Sequence, residues 1–251
     1  MILITGGGSG IGRQLALELS SRNKEILVIG RRRSNLVATC DKGKNISYCV
    51  ADITTEVGKA LVIQHLQNKT LDAIVHNAGT IAPISPINQI KFSAFEYNFK
   101  INLFAPFELN LALINKLKGG RVLHVGSGAA YIPFAGWSAY CSSKAALAML
   151  TKCYQAEYND PVFAYVMPGI VDTPMTETIR ATKDAMSKEV LAFHKKLHKD
   201  KHLISAKIVA AFLAWLLLDT PKDQYVAREW DIYDKTHHKN WLRDDQKIFP
   251  I

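Results

Sequence analysis

The β-rich run Ile2–Thr5 leads straight into Gly6-Gly7-Gly8-Ser9-Gly10-Ile11-Gly12, and an amphipathic stretch, Ile11–Ser21, follows without a break. Few folds accept a glycine-dense turn between a strand pattern and a helix pattern. Glycine lets the backbone turn sharply, and a helix that starts there offers free N–H groups and its dipole to an anion. The alternation then continues along the chain. Strand candidates are Ile26–Ile29, Ile46–Ala51, Ala73–His76, Arg121–Val125 and Val162–Val166. Helical patterns lie between them: a short one near Leu36, then Glu56–Gln67, a long one over Phe92–Leu117, and Ala139–Glu157. Strands alternating with helices predict an α/β fold, a doubly wound parallel sheet with helices on both faces. Its crossovers are right-handed, and ligands bind beyond the carboxyl ends of the strands.

A length of 251 residues accommodates one large domain or two small ones, and the chain shows no linker, composition break or repeat. The expectation is one domain over residues 1–235, closed by a helix at Ser205–Leu218 and a last strand near Gln224–Tyr233. The polar, Lys-rich stretch 174–203 reads as a mobile lid, and residues 236–251 as an exposed polar tail. That tail includes His237-His238, read as exposed histidines rather than metal ligands. Cys40, Cys49, Cys141 and Cys153 show no C-x-x-C spacing, as expected of reduced thiols in the cytoplasm. No export signal opens the chain, and the most apolar helix, Ile204–Leu218, is short for a bilayer and carries Lys207. The formal charge of +9 is spread along the chain, so neither nucleic acid nor a membrane is the expected partner.

The glycine spacing is G-x-x-x-G-x-G, at Gly6, Gly10 and Gly12. With Thr5, Gly8, Ser9 and Ile11 it reads as a cradle for a dinucleotide pyrophosphate. An acidic residue ending the second strand would favour NAD. Here that strand ends in Gly30 and continues as Arg31-Arg32-Arg33. Guanidinium groups bind a 2′-phosphate well, so NADPH is expected, with Arg31 and Arg32 as its readers. Asp52-Ile53 follows the third strand, where a carboxylate can meet the adenine edge, and Asn77-Ala78-Gly79 follows the fourth.

Tyr140 and Lys144 stand four apart, on one face of a predicted helix. A free tyrosine has a pKa near ~10, and an ammonium beside it favours the phenolate, so Tyr140 is expected to be drawn down toward neutral pH. Ser127, at the end of the fifth strand, is suited to polarising a carbonyl. Asn102, within the long helix, supplies an amide to hold a water on the lysine.

Taken together, TGGGSGIG, Asp52, HNAG, Asn102, Ser127, Tyr140–Lys144 and Pro168-Gly169 with Thr173 resemble the short-chain dehydrogenase/reductase family over nearly the whole chain. The resemblance implies a Rossmann fold in which Tyr140 carries the proton, Ser127 binds the carbonyl oxygen and Lys144 holds the nicotinamide ribose. It further implies that Asn102 maintains a relay water, and that Pro168, Gly169, Val171 and Thr173 border the nicotinamide. GWSAYCSSKAALAML and EWDIYDK narrow the resemblance to the sepiapterin reductase and benzil reductase branch. That branch implies a diketone or pterin substrate, with Asp231 as the pterin anchor. Ser127 is expected to meet the substrate, and Trp137, with Tyr131 and Phe134, to offer aromatic surface to a flat one. Family habit also implies a homodimer or homotetramer packed through the long helix and the helix from Ala139. The alternatives are an NAD(P)-dependent alcohol or sugar dehydrogenase, and a nucleotide-sensing or scaffolding protein without turnover.

Overall fold

A computed structural model describes residues 1–182 and 185–249. Lys183 and Asp184 of the expected lid, and Pro250 and Ile251 of the expected tail, lie outside the described residues. The elements run β1 (Ile2–Thr5), α1 (Gly10–Ser21), β2 (Ile26–Gly30), α2 (Arg33–Cys40), β3 (Ile46–Val50), α3 (Glu56–His65) and β4 (Ala73–His76). They continue through α4 (Phe92–Phe99), α5 (Ala105–Leu113), β5 (Arg121–Val125), α6 (Ser138–Glu157) and β6 (Val162–Met167). The last third comprises β7 (Val171–Asp172), α7 (Pro174–Ala181), α8 (Lys188–Lys199), β8 (Ile204–Ser205), α9 (Ala206–Leu218), α10 (Lys222–Val226) and β9 (Trp230–Asp231).

Seven strands form one sheet in the order β3-β2-β1-β4-β5-β6-β9, every pairing parallel. The central strands are largely apolar, as strands covered on both faces are, with buried Thr5, His76 and His124 as polar positions among them. Ile2, Ile4, Ile26 and Val28 face α1 and α9, where they meet Leu15, Leu19, Val209 and Phe212. Leu3, Leu27 and Ile74 face the other layer and pack with Val62, Leu109 and Leu113. Each such side chain, fully buried, contributes about 1.5–3 kcal/mol. β1 pairs with β2 on one side and β4 on the other, so the strand order reverses there and a crevice opens at the carboxyl ends.

Three expectations change. The long helix is α4 and α5 joined through a π-helical segment, Lys100–Phe104, and it ends in a 3-10 turn at Ile114–Lys116. The expected last strand is mostly not strand: Pro221 starts α10, and only Trp230–Asp231 pairs with β6. Tyr225 of that helix is buried, with its hydroxyl donating to Val122 O at 3.0 Å. The tail does not begin as an exposed polar segment. Lys235–Asn240 is a 3-10 turn that buries His237 at 2% exposure and Trp241 at 9%.

His237 stacks on Phe212 with ring centroids 5.0 Å apart. Its Nε2 lies 3.0 Å from Asp231 O, and its Nδ1 accepts the Trp241 Nε1 hydrogen at 2.8 Å. That pairing makes it a neutral imidazole inside an aromatic cluster, and burial lowers its pKa. Trp241→Ala is therefore expected to cost about 3 kcal/mol of unfolding free energy. Urea denaturation measures it; a loss below about 0.5 kcal/mol, the usual range for surface changes, would mean the segment is separable from the core.

Candidate active site

The crevice between β1 and β4 is laced by a side chain. Thr5 Oγ1 accepts the N–H groups of Asn77 at 3.1 Å and Ala78 at 3.0 Å, while Asn77 Nδ2 donates to Thr5 O at 2.9 Å. Gly6 and Gly10 adopt φ of +69° and +51°, which a side chain would strain. A Cβ on Gly12 would fall 2.5 Å from Asn77 Nδ2 and 2.6 Å from Gly6 O. Thr5 and Gly12 thus hold the loop from behind, and Gly6, Gly8, Ser9, Gly10 and Ile11 form the floor of a cleft of about 620 Å³.

One wall of the cleft carries Arg31, Arg32, Asp52 and Ile53. Arg31 donates to the Tyr97 hydroxyl at 2.8 Å and stands 3.9 Å from Asp52 Oδ2. Asp52 Oδ1 is taken by the N–H and hydroxyl of Thr54, at 3.0 and 2.7 Å. Asn77, Ala78 and Gly79 line the cleft from β4, and Pro168, Gly169, Val171 and Thr173 close its far side. Thr173 also begins α7, forming a capping box with Thr176.

Ser127, Tyr140 and Lys144 line the same cleft. Ser127 follows β5 and caps a 3-10 turn, its Oγ accepting the Ala129 N–H at 3.1 Å. Tyr140 and Lys144 occupy successive turns of α6, exposed by 7% and 5%. Lys144 Nζ donates to Val125 O at 2.7 Å and lies 5.8 Å from the Tyr140 ring centroid. The expected lowering of the Tyr140 pKa is reversed. Burial raises it, and interaction with the Ser127 hydroxyl offsets this only in part. Burial also pushes Lys144 down, to about 8. The phenol accordingly keeps its proton at neutral pH, and the ammonium titrates just above it.

Asn102 sits in the π-helical segment, buried, and its side chain is spent on structure. Its Oδ1 accepts the Thr80 N–H at 2.9 Å, and its Nδ2 faces Thr80 O, Asn98 Oδ1 and Ser143 Oγ at 2.9–3.0 Å. The amide so engaged fixes the Gly79–Thr80 backbone against α6. Trp137 does not reach the cleft lining either. It packs behind Tyr140, edge-on with centroids 6.2 Å apart, and against His194 of α8 at 5.5 Å. Asp231 stays outside as well, because β9 places it beside Met167 and its Oδ1 accepts the Tyr233 N–H at 3.0 Å. From the expected lid, Pro174, Met175, Thr176 and Thr178 reach the cleft.

Sequence reasoning missed Tyr97, Asn35 and Thr80, which also line the cleft. Asn35 lies just past the arginine run and was the easiest to find; Tyr97 needed the helix phase of α4. It also missed Arg13, whose guanidinium donates to Gly8 O, to Thr39 Oγ1 at 3.1 Å and to Asn35 O at 3.3 Å. That clasp ties the glycine loop to α2.

The family model described as short chain dehydrogenase matches residues 1–184. The chain is a short-chain dehydrogenase/reductase. This reductase-family chain is 33% identical over 249 residues to benzil reductase ((S)-benzoin forming) of Saccharomyces cerevisiae, covering 90% of this chain and 94% of that one. It is 31% identical over 199 residues to the benzil reductase of Bacillus cereus, covering 72% and 79%. An uncharacterized oxidoreductase of Schizosaccharomyces pombe is 34% identical over 238 residues, covering 92% and 96%. The crystal structure of another Saccharomyces cerevisiae short-chain dehydrogenase/reductase superposes with a TM-score of 0.88 at 29% identity, over 96% of this chain and 98% of that one. The narrower likeness runs to the benzil reductase branch.

The Lys144 environment has a consequence for stability. Its folded pKa of about 8 lies below the ordinary 10.5, so between those values the unfolded chain binds more protons and stability rises with pH. Below pH 8 the full cost of burying the charge is present, roughly 3 kcal/mol at ~1.4 kcal/mol per unit. Lys144→Met removes that cost and gives up the bond to Val125 O, worth about 1 kcal/mol. The ligand-free variant is expected to be roughly 2 kcal/mol more stable than wild type at pH 7, with the difference shrinking by pH 10. Urea titrations at the two pH values check this, and a destabilised variant at pH 7 would contradict it.

Proposed function

We propose that this chain is an NADPH-dependent carbonyl reductase acting on ketones and 1,2-diketones of the benzil type. The observation that carries the reading is a single cleft in which Ser127, Tyr140 and Lys144 stand at one end and Arg31 and Arg32 at the other. The residues fit a dinucleotide: a floor of bare loop backbone, positive φ at Gly6 and Gly10, and a helix N-terminus at the phosphate position. Arg31 and Arg32 would hold the 2′-phosphate, with the Tyr97 hydroxyl orienting Arg31. Thr173 and the Pro168–Val171 stretch would border the nicotinamide, and Lys144 its ribose. When bound, the reduced nicotinamide supplies the hydride.

The chain's own work is positioning and proton transfer. Ser127 donates to the carbonyl oxygen and stabilises the negative charge that develops there. Tyr140, held protonated by burial, delivers its proton to that oxygen. Lys144, charged below about pH 8, lowers the cost of the resulting phenolate. Asn102 acts indirectly, by bracing Thr80 and Ser143 around this group. The names of the relatives support a diketone, and the position of Asp231 outside the cleft favours it over a pterin.

The four cysteines are free, in keeping with work in the cytoplasm. No helix of the described residues is long and apolar enough to cross a membrane, and among those residues no group of three or more His, Cys, Asp or Glu could hold a metal. Exposed Phe104, Phe107 and Leu111 on the α5 side and Met149 on α6 support pairing of two copies.

Two outcomes follow. Tyr140→Phe is expected to lower kcat for benzil reduction at least about 100-fold while NADPH still binds, as fluorescence titration would show. Retained turnover would overturn the mechanism. Arg31→Ala is expected to raise KM for NADPH roughly tenfold and KM for NADH little, the loss of one charge-assisted bond. Equal rises would remove Arg31 from the 2′-phosphate.

A further inference from the structure

One buried side chain beside the proposed centre has no part in the chemistry above. Tyr165, in β6, is 1% exposed and pairs across the sheet with His124 of β5. The β5–β6 backbone ladder runs to Gly126, whose N–H donates to Val166 O at 2.7 Å. The next rung is made by a side chain: the Ser127 N–H donates to the Tyr165 hydroxyl at 3.0 Å. That hydroxyl has Ser127 O at 3.3 Å and Lys144 O at 3.4 Å as acceptors for its own hydrogen.

The approach is close. A Cβ on Gly126 would fall 1.9 Å from Tyr165 Cζ, so the ring crosses the backbone just ahead of Ser127 and position 126 has no room for a side chain. On its other side the ring packs with Leu147 and Ala148 of α6, the helix that carries Tyr140 and Lys144. One side chain thus touches the backbone of Ser127 and the helix of its partners. Burial raises the phenol pKa far above neutrality, so the hydroxyl both donates and accepts across the working pH range.

We propose that Tyr165 is a positioning residue: its hydroxyl pins the Ser127 backbone and thereby sets where the Ser127 Oγ stands relative to Tyr140. The claim about turnover rests on the reductase reading; the claim about the Ser127 backbone does not. A displacement of about 1 Å at a reacting group costs large factors in rate, and Ser127 follows the last backbone rung of its strand. The bonds from the Ala129 N–H to its Oγ and from the Ala130 N–H to its O come from its own 3-10 turn, so Tyr165 is its tie to the sheet.

Tyr165→Phe keeps the ring and removes only the hydroxyl. In the full chain, with NADPH and benzil, kcat is expected to fall about tenfold while KM for NADPH stays within about twofold of wild type. In a Ser127→Ala background the same replacement is expected to change kcat less than about twofold, since the group being positioned is gone. Exchange of the Ser127 amide hydrogen, followed by NMR without substrate, is expected to be at least about tenfold faster in Tyr165→Phe, with the Asn77 amide unchanged. Wild-type kcat together with unaltered exchange overturns the proposal. So does a tenfold loss that persists undiminished in the Ser127→Ala background. If the wild-type chain reduces neither benzil nor any other carbonyl, the reductase reading alone fails, and exchange at Ser127 decides whether Tyr165 holds it.

Discussion

The site depends on how closely β1 and β4 leave the sheet together. At that point the strand order reverses, and one hydroxyl, Thr5 Oγ1, accepts two backbone N–H groups from the turn after β4. This bond pair keeps the glycine loop and the Asn77–Gly79 turn at a fixed separation, with Gly12 wedged against both. The glycine loop, the arginine wall and Ser127 all follow strands whose register is set on either side of this seam, and α6 brings Tyr140 and Lys144 to Ser127. A crevice at a strand-order reversal is where a doubly wound sheet exposes strand ends and helix N-termini to a common ligand.

Burial rather than charge pairing dominates the electrostatics at the reacting end. Tyr140 and Lys144 are both nearly closed off from water, and burial disfavours the charged form of each. The result is a neutral phenol next to an ammonium that is easily discharged, the protonation states a reductase needs in order to give a proton away near neutral pH. The stability sacrificed at Lys144 fits the general pattern of functional groups held in unfavourable surroundings by a rigid frame. Here the frame is the apolar sheet and the α6 contacts on Tyr165, Leu147 and Ala148.

What could be read from the sequence was whatever local geometry dictates. Strand–glycine–helix at residues 2–21, the arginines after β2, and a tyrosine and lysine one helical turn apart need only backbone periodicity and turn chemistry. Of the expected site residues in these segments, Gly6, Gly8, Ser9, Gly10, Ile11, Arg31, Arg32, Tyr140 and Lys144 line the cleft, while Thr5 and Gly12 support the loop and Arg33 begins α2. What could not be read depends on contacts between distant segments. The Asn102 amide is consumed by Thr80, Asn98 and Ser143, the Asp231 carboxylate closes its own turn, and Trp137 points behind Tyr140 rather than into the cleft. The tail looked polar because its charged residues alternate with the two that matter, His237 and Trp241, which complete an aromatic cluster with Phe212 and Trp215. Tyr165 was invisible for the same reason: in sequence it is one apolar position in a strand, and only the fold sets its hydroxyl under Ser127.

The central claim is that this cleft moves a hydride from NADPH to a carbonyl carbon while the chain supplies the proton. Incubating the purified protein with benzil and NADPH dideuterated at C4, then reading the product by mass spectrometry, tests it directly. The account predicts benzoin carrying one deuterium on its carbinol carbon for each NADPH oxidised. Benzoin without deuterium, or no oxidation of NADPH with benzil or any other ketone, would contradict it.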